Sequence, residues 1–353
     1  MASATLDATR STSFDLPQSA QVAAASRSKP GRLSALDFTK GALVLVMVLY
    51  HWLNYFVGAT GFFYRYLRFL PPSFICITGF LISHVYLSKY RITDARLPRR
   101  LAIRGFKILG IFTLLNAGII LFIRDSFDNF SLGTLESIYI TGNMASGRAV
   151  AFYVLIPISY LLLLSSVLLI ACRYYKHVFH LVSCLSLLAV LALNLNDYKS
   201  SNFELLTIGL LGISIGYIPI DKINSIFRHP YALFLAYGAY LAAITAWEVP
   251  YPLLIVGVLL TLMLIYLLGT VSGDVGRVPR SLILLGKYSL FGYIAQIAIL
   301  QLLRRSLQMD LTVWVSAGSF VAAIVLTMIS VEAVDRARAK APFVNRLYGA
   351  VFS

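Results

Sequence analysis

Acidic residues are scarce in this chain. Asp and Glu number 15 in 353 residues, and all four charged types together make up 13% of the sequence. A soluble domain of this length needs far more charged surface, so a water-soluble globule is excluded. Cysteine is also sparse. Cys76, Cys172 and Cys184 are odd in number and fall in or beside apolar runs, which excludes a disulfide framework. They read as small hydrophobes. No His/Cys/Asp/Glu cluster has ligand spacing, so no metal site is expected. No polar stretch after residue 40 is long enough to fold alone, so a single membrane domain is expected.

Hydrophobic residues are what the chain has in abundance: they form 59% of it, with a mean hydropathy of +0.79. Runs of about 17–22 apolar residues recur, as in a polytopic helical membrane protein. The pattern predicts an all-α fold of about ten transmembrane helices, near 39–57, 69–88, 106–123, 150–171, 178–195, 203–219, 231–247, 252–271, 283–303 and 311–332. Residues 1–31, rich in Ala, Ser and Thr, lack an apolar core and read as a disordered cytoplasmic tail rather than a secretory signal. The membrane domain then covers 32–348, and 349–353 is a short C-terminal end.

The net charge of +15 would suggest nucleic acid on a soluble protein. Here the cations lie between apolar runs, so membrane orientation explains them and no nucleic-acid partner is expected. With ten spans, all but seven of the 30 lysines and arginines fall on the side of the termini. The seven are Arg65, Arg68, Arg124, Arg148, Lys199, Arg304 and Arg305. The bias predicts that both termini are cytoplasmic. The longest loop on the other side, roughly 124–149, is polar, with room for a short helix. No internal repeat suggests a transporter built from inverted halves.

The first apolar run, "LDFTKGALVLVMVLYHW", carries ionisable groups. Eleven positions separate Lys40 from His51, which on a helix puts them within about 20° of one face and roughly 16 Å apart along the axis. Asp37, Asn54 and Tyr55 extend the same polar stripe. Asp37 and Lys40 also fit a helix end with snorkelling charges. His51, near mid-membrane, fits a cavity or pathway better than a satisfied core histidine, and imidazole exchanges protons near neutral pH. A second stripe, Arg100, Arg104 and Lys107, enters the third run. It is either positive-inside charge or a site for the phosphates of a cytoplasmic donor such as an acyl-coenzyme A. Tyr55 to Phe69, "YFVGATGFFYRYLRF", is aromatic and basic and reads as an interfacial anchor or a wall for a sugar. His84 reads as structural, and His177, His180 and His229 as solvated loop residues.

At "RLSALDFTKGALVLVMVLYH" the sequence resembles the integral membrane acyltransferase-3 superfamily, which includes glucan succinyltransferases. That family opens with R-hydrophobic-x-x-L-D-x-x-R-G, an apolar run and a histidine. Heparan-glucosaminide acetyltransferase-like proteins open similarly. "PPSFICITGFLIS", "RRLAIR" and "LLGKYSLFGYIAQIAIL" are weaker matches. Two residues depart from the pattern: Lys40 stands for the family's arginine, and Gln296 for a late histidine. The resemblance implies transfer of an acyl group, acetyl by default with succinyl open, from cytoplasmic acyl-coenzyme A to a hydroxyl of a glycan or lipid-linked sugar. His51 is then the catalytic centre, as general base or as acyl carrier, with Lys40 facing the donor and Asp37 orienting Lys40. Arg100, Arg104 and Lys107 would hold the coenzyme phosphates, and Asn54, Tyr55, Ser289 and Tyr293 would line the cavity. Acyl-coenzyme A is a co-substrate, and no bound cofactor is expected. The other partners implied are the acceptor and membrane lipid, in a bacterial inner membrane by family habit. The competing reading is a transporter or flippase for an anionic lipid or metabolite.

Overall fold

A computed structural model describes residues 34–58, 62–87, 96–119, 132–142, 152–175, 177–227, 230–247, 249–273, 276–307 and 313–352. The expected N-terminal tail, His229 and most of the 124–149 loop lie outside them. The described residues contain helices and no strand. In chain order these are α1 (Ser34–Trp52), α2 (Phe62–Leu67), α3 (Leu70–Leu81), α4 (Arg96–Ile119), α5 (Leu132–Glu136), α6 (Leu155–Ala171), α7 (Val178–Leu195) and α8 (Ser201–Ile215). Then follow α9 (Ile220–Ile226), α10 (Pro230–Ala246), α11 (Tyr251–Ser272), α12 (Arg277–Lys287), α13 (Ser289–Ser306), α14 (Val313–Lys340) and α15 (Pro342–Phe352). α1, α3 and α5 each run on into a π-helical turn, at Leu53–Val57, Ile82–Tyr86 and Ser137–Thr141.

Among the described residues, six helical stretches are long and apolar enough to cross a membrane, or up to eight if each of two bent pairs is one span. This makes the chain a membrane-embedded, multi-pass helical protein. The bent pairs are α8 with α9, at 101°, and α12 with α13, at 95°. α6 and α10 are apolar but have 17 residues each, about 25 Å of helix against a hydrocarbon core of about 30 Å.

Proline and glycine punctuate the chain. Pro71 and Pro72 open α3, Pro230 opens α10, Pro252 follows the first residue of α11, and Pro342 opens α15. In the first turn of a helix the missing N–H costs nothing. Gly273 and Gly276 adopt positive φ (57° and 110°) where α11 turns into α12, a backbone that L side chains rarely adopt.

Small residues decide which helices touch. α1 packs along α12 at Gly41 and Gly286: a Cβ on Gly41 would sit 2.0 Å from the Leu282 carbonyl, and one on Gly286 1.7 Å from that of Asp37. α3 crosses α8 the same way, with Gly79 against the Gly209 carbonyl and Gly212 against that of Cys76. Lipid tails are as apolar as Leu, so helices associate in a bilayer through such close packing. α13 also packs on α1 and on α14, which brings Gly292 beside Val44.

Candidate functional site

Among the residues proposed from sequence, His51 and Tyr293 are brought together. The His51 ring lies 6.3 Å from that of Tyr293, centroid to centroid, across the contact between α1 and α13. It stacks on Tyr55, one turn on, at 6.1 Å, and meets Tyr50 edge-on at 5.2 Å. Tyr64, from the aromatic segment between the first two spans, packs edge-on against Tyr50 at 5.2 Å. Tyr293 in turn meets Phe74 of α3 at 6.4 Å and Phe152, just before α6, at 6.0 Å. His51 thus sits in an aromatic box built by five parts of the chain.

Some polar atoms of this box have no hydrogen-bond partner in the protein. His51 Nε2 is buried without a hydrogen-bond partner, as is the Tyr64 hydroxyl. Gln296, one turn along α13 from Tyr293, is 0% exposed, and both its amide oxygen and its amide nitrogen are unpartnered. Native proteins pair nearly all buried polar groups, because an unpaired one costs about 1–3 kcal/mol. In a membrane no bulk water is at hand to relieve that cost.

Asp37 and Lys40 form a separate group. Lys40 Nζ lies 2.6 Å from Asp37 Oδ1, with the Asp37 side chain 6% and the Lys40 side chain 18% exposed. The pair sits against α12, where the Asp37 carbonyl faces Gly286. Eleven helical positions still separate Lys40 from His51, about 16 Å. Asn54 is exposed, in the π-helical turn that ends α1. Ser289 opens α13, one turn before Tyr293, and is half-buried.

The basic stripe lies on α4. Arg104 Nη1 donates to the Tyr86 hydroxyl at 2.6 Å and is half-buried, as is Lys107, while Arg100 is exposed. His84 Nδ1 lies 3.3 Å from the Gly216 carbonyl and its ring stacks on Phe80 at 4.9 Å, tying α3 to the end of α8. His180 packs its ring 5.1 Å from that of Tyr217. Cys76 and Cys172 are buried free thiols and Cys184 is an exposed one. No group of three or more metal-ligating side chains occurs among the described residues.

Two features were not legible beforehand. The first is the rest of the box: Tyr50, Tyr64, Phe74 and Phe152 carry no motif, and only the three-dimensional packing gathers them. The second is a polar strap at the break between α12 and α13. The Tyr288 hydroxyl donates to Asp335 Oδ1 at 2.6 Å, and Lys287 Nζ reaches the same oxygen at 3.0 Å. Arg338 donates to the Tyr288 hydroxyl at 3.1 Å and, through Nε and Nη2, to Asn345 Oδ1 at 3.1 and 2.8 Å. Its guanidinium also lies 4.2 Å from the centroid of Tyr348. Burial pushes the Tyr348 hydroxyl up to about 12, so this contact is to a neutral ring. An acid near the end of a long apolar helix, Asp335, was the available signal.

Comparison of the chain with models of known families, with characterised proteins and with solved structures returns no match.

Proposed function

We propose that the protein is a membrane acyltransferase that moves an acyl group, acetyl in the first instance, from cytoplasmic acyl-coenzyme A to a hydroxyl of a glycan or lipid-linked sugar. One observation carries the reading: a histidine in the first apolar span keeps Nε2 without a partner in an aromatic box, and the buried amide of Gln296, one turn from Tyr293, is unpartnered as well. Such a hollow is costly unless a ligand completes it. The resemblance of the first helix to acyltransferase-3 proteins supplies the reaction class. No other comparison bears on it.

In this reading His51 Nε2 takes the proton of the acceptor hydroxyl as its oxygen attacks the thioester carbonyl. The C–S bond then breaks, and the coenzyme thiolate leaves with that proton. Gln296 offers an amide N–H to the carbonyl oxygen as charge develops there. Aromatic faces such as Tyr55 and Tyr293 suit the apolar face of a sugar. Arg100, Arg104 and Lys107 bind the coenzyme phosphates, and Lys40, held by Asp37, lies on the donor's route. In the same proposal the chain crosses the membrane ten times, α6 and α10 included, with both termini in the cytoplasm.

The two sharp helix breaks favour a second reading, a transporter, because discontinuous helices are common at transport sites. Coenzyme A release separates the two. Membranes containing the protein, given acetyl-coenzyme A and a mixture of membrane glycans, should release free thiol in step with label entering the glycan. Uptake of label into vesicles with no free thiol would replace the enzyme with the transporter.

A further inference from the structure

A cavity of about 340 Å³ lies near the start of α1, and no ring of the aromatic box lines it. Its wall includes Thr39 of α1, Phe80 of α3, Ile215 of α8, Ile223 of α9, and Leu262 and Tyr266 of α11. The volume is at the small end of the roughly 300–1,000 Å³ typical of ligand sites. The two hydroxyls in this wall are turned elsewhere. Thr39 donates its hydroxyl to the Ala35 carbonyl at 2.8 Å, and the Tyr266 hydroxyl points to Asn224 Oδ1 at 3.5 Å. A polar ligand would find little to orient it, whereas a hydrocarbon chain needs nothing more than an apolar wall.

The mouth has a different character. α9 bends 101° away from α8 and runs as a short amphipathic piece. Ile220, Ile223 and Ile226 line the cavity at helical spacing, while Asp221, Asn224 and Ser225 are exposed. That arrangement suits a segment lying in the membrane interface. Lys222, also exposed, is the one charged residue that lines the cavity. Among the described residues it makes no ion pair.

We propose that this cavity seats one acyl chain of an anionic phospholipid of the surrounding bilayer, with the headgroup phosphate against the Lys222 ammonium. An apolar hollow with a cation at an interfacial rim matches an amphiphile whose tail goes in and whose anionic head stays out. The acyl chain of a donor thioester fits less well. Thr39 is twelve positions from His51, about 18 Å along α1, so the short acyl group of the proposed donor cannot sit here with its carbonyl at Nε2. The proposal therefore stands whether or not the protein transfers acyl groups. The bound chain fills the space between α3, α8, α9 and α11.

The test uses the full-length protein in nanodiscs carrying a phosphatidylglycerol with a diazirine on one acyl chain. After irradiation, peptides are mapped by mass spectrometry. Label concentrated on the α9 and α11 segments around Ile223 and Met263, and displaced by unlabelled phosphatidylglycerol, is the expected result. Leu262→Trp, which fills the cavity, should lower the label there by about tenfold, the loss of roughly two buried methylenes. Lys222→Glu should abolish the preference for phosphatidylglycerol over phosphatidylcholine. Label spread evenly over lipid-facing helices in the unmodified protein overturns the proposal without recourse to any variant. Label displaced by palmitoyl-coenzyme A but not by phospholipid overturns it too, by assigning the cavity to a donor.

Discussion

Gln296 is a wholly buried amide with no bond to show for its burial. Replacing it by an apolar residue of similar shape removes the penalty of two unpaired groups. Gln296→Leu is therefore expected to raise stability in detergent by about 1–3 kcal/mol while lowering acyl transfer. Thermal unfolding followed alongside label transfer checks both halves. A variant that is less stable, or equally active, would mean the amide is structural. His51 was legible from sequence because one ionisable residue in an apolar run stands out. Its surroundings were not, because tyrosine and phenylalanine are plentiful and a one-dimensional pattern does not say which rings converge. Gln296 was noticed for the histidine it replaces, and its own unpaired amide emerged only from packing.

At the scale of elements, glycines set how closely the helices approach. Gly286→Ala puts a methyl 1.7 Å from the Asp37 carbonyl, which belongs to backbone that has no room to yield. It should separate α1 from α12 and lower the yield of folded protein sharply. Gly110→Ala, with nothing within 4 Å, should leave stability unchanged or raise it by up to about 1 kcal/mol through helix propensity. Size-exclusion profiles of the two variants make the comparison. A similar loss from both would remove the close contact as the reason. Tyr288→Phe takes the hydroxyl away from Asp335 and Arg338, and a hydrogen bond to a charged group contributes about 1.5–3 kcal/mol. Its melting temperature should fall, and unchanged melting would show that the strap adds nothing. Apolar runs made the helices readable from sequence. The 101° and 95° breaks were not, since hydropathy is blind to direction and each broken pair reads as one run or as a run and a loop.

For the whole molecule, the membrane class followed from composition alone, because so few charges leave no soluble alternative. The proposed ten crossings make a test of orientation. In that topology, cysteines replacing Lys222 and Arg305, in a background with the native thiols changed to serine, would lie on opposite sides of the membrane. An impermeant maleimide applied to intact cells should label Arg305→Cys and spare Lys222→Cys. Equal labelling of both would undo the proposed orientation.

The central claim is that the buried histidine performs acyl transfer. The most direct measurement uses inverted membrane vesicles containing the wild type or His51→Ala at equal abundance, supplied with labelled acetyl-coenzyme A. The account predicts that the wild type passes label to glycan or lipid and that His51→Ala does not. Equal transfer by both proteins would contradict it and leave the polar stripe of α1 a structural feature.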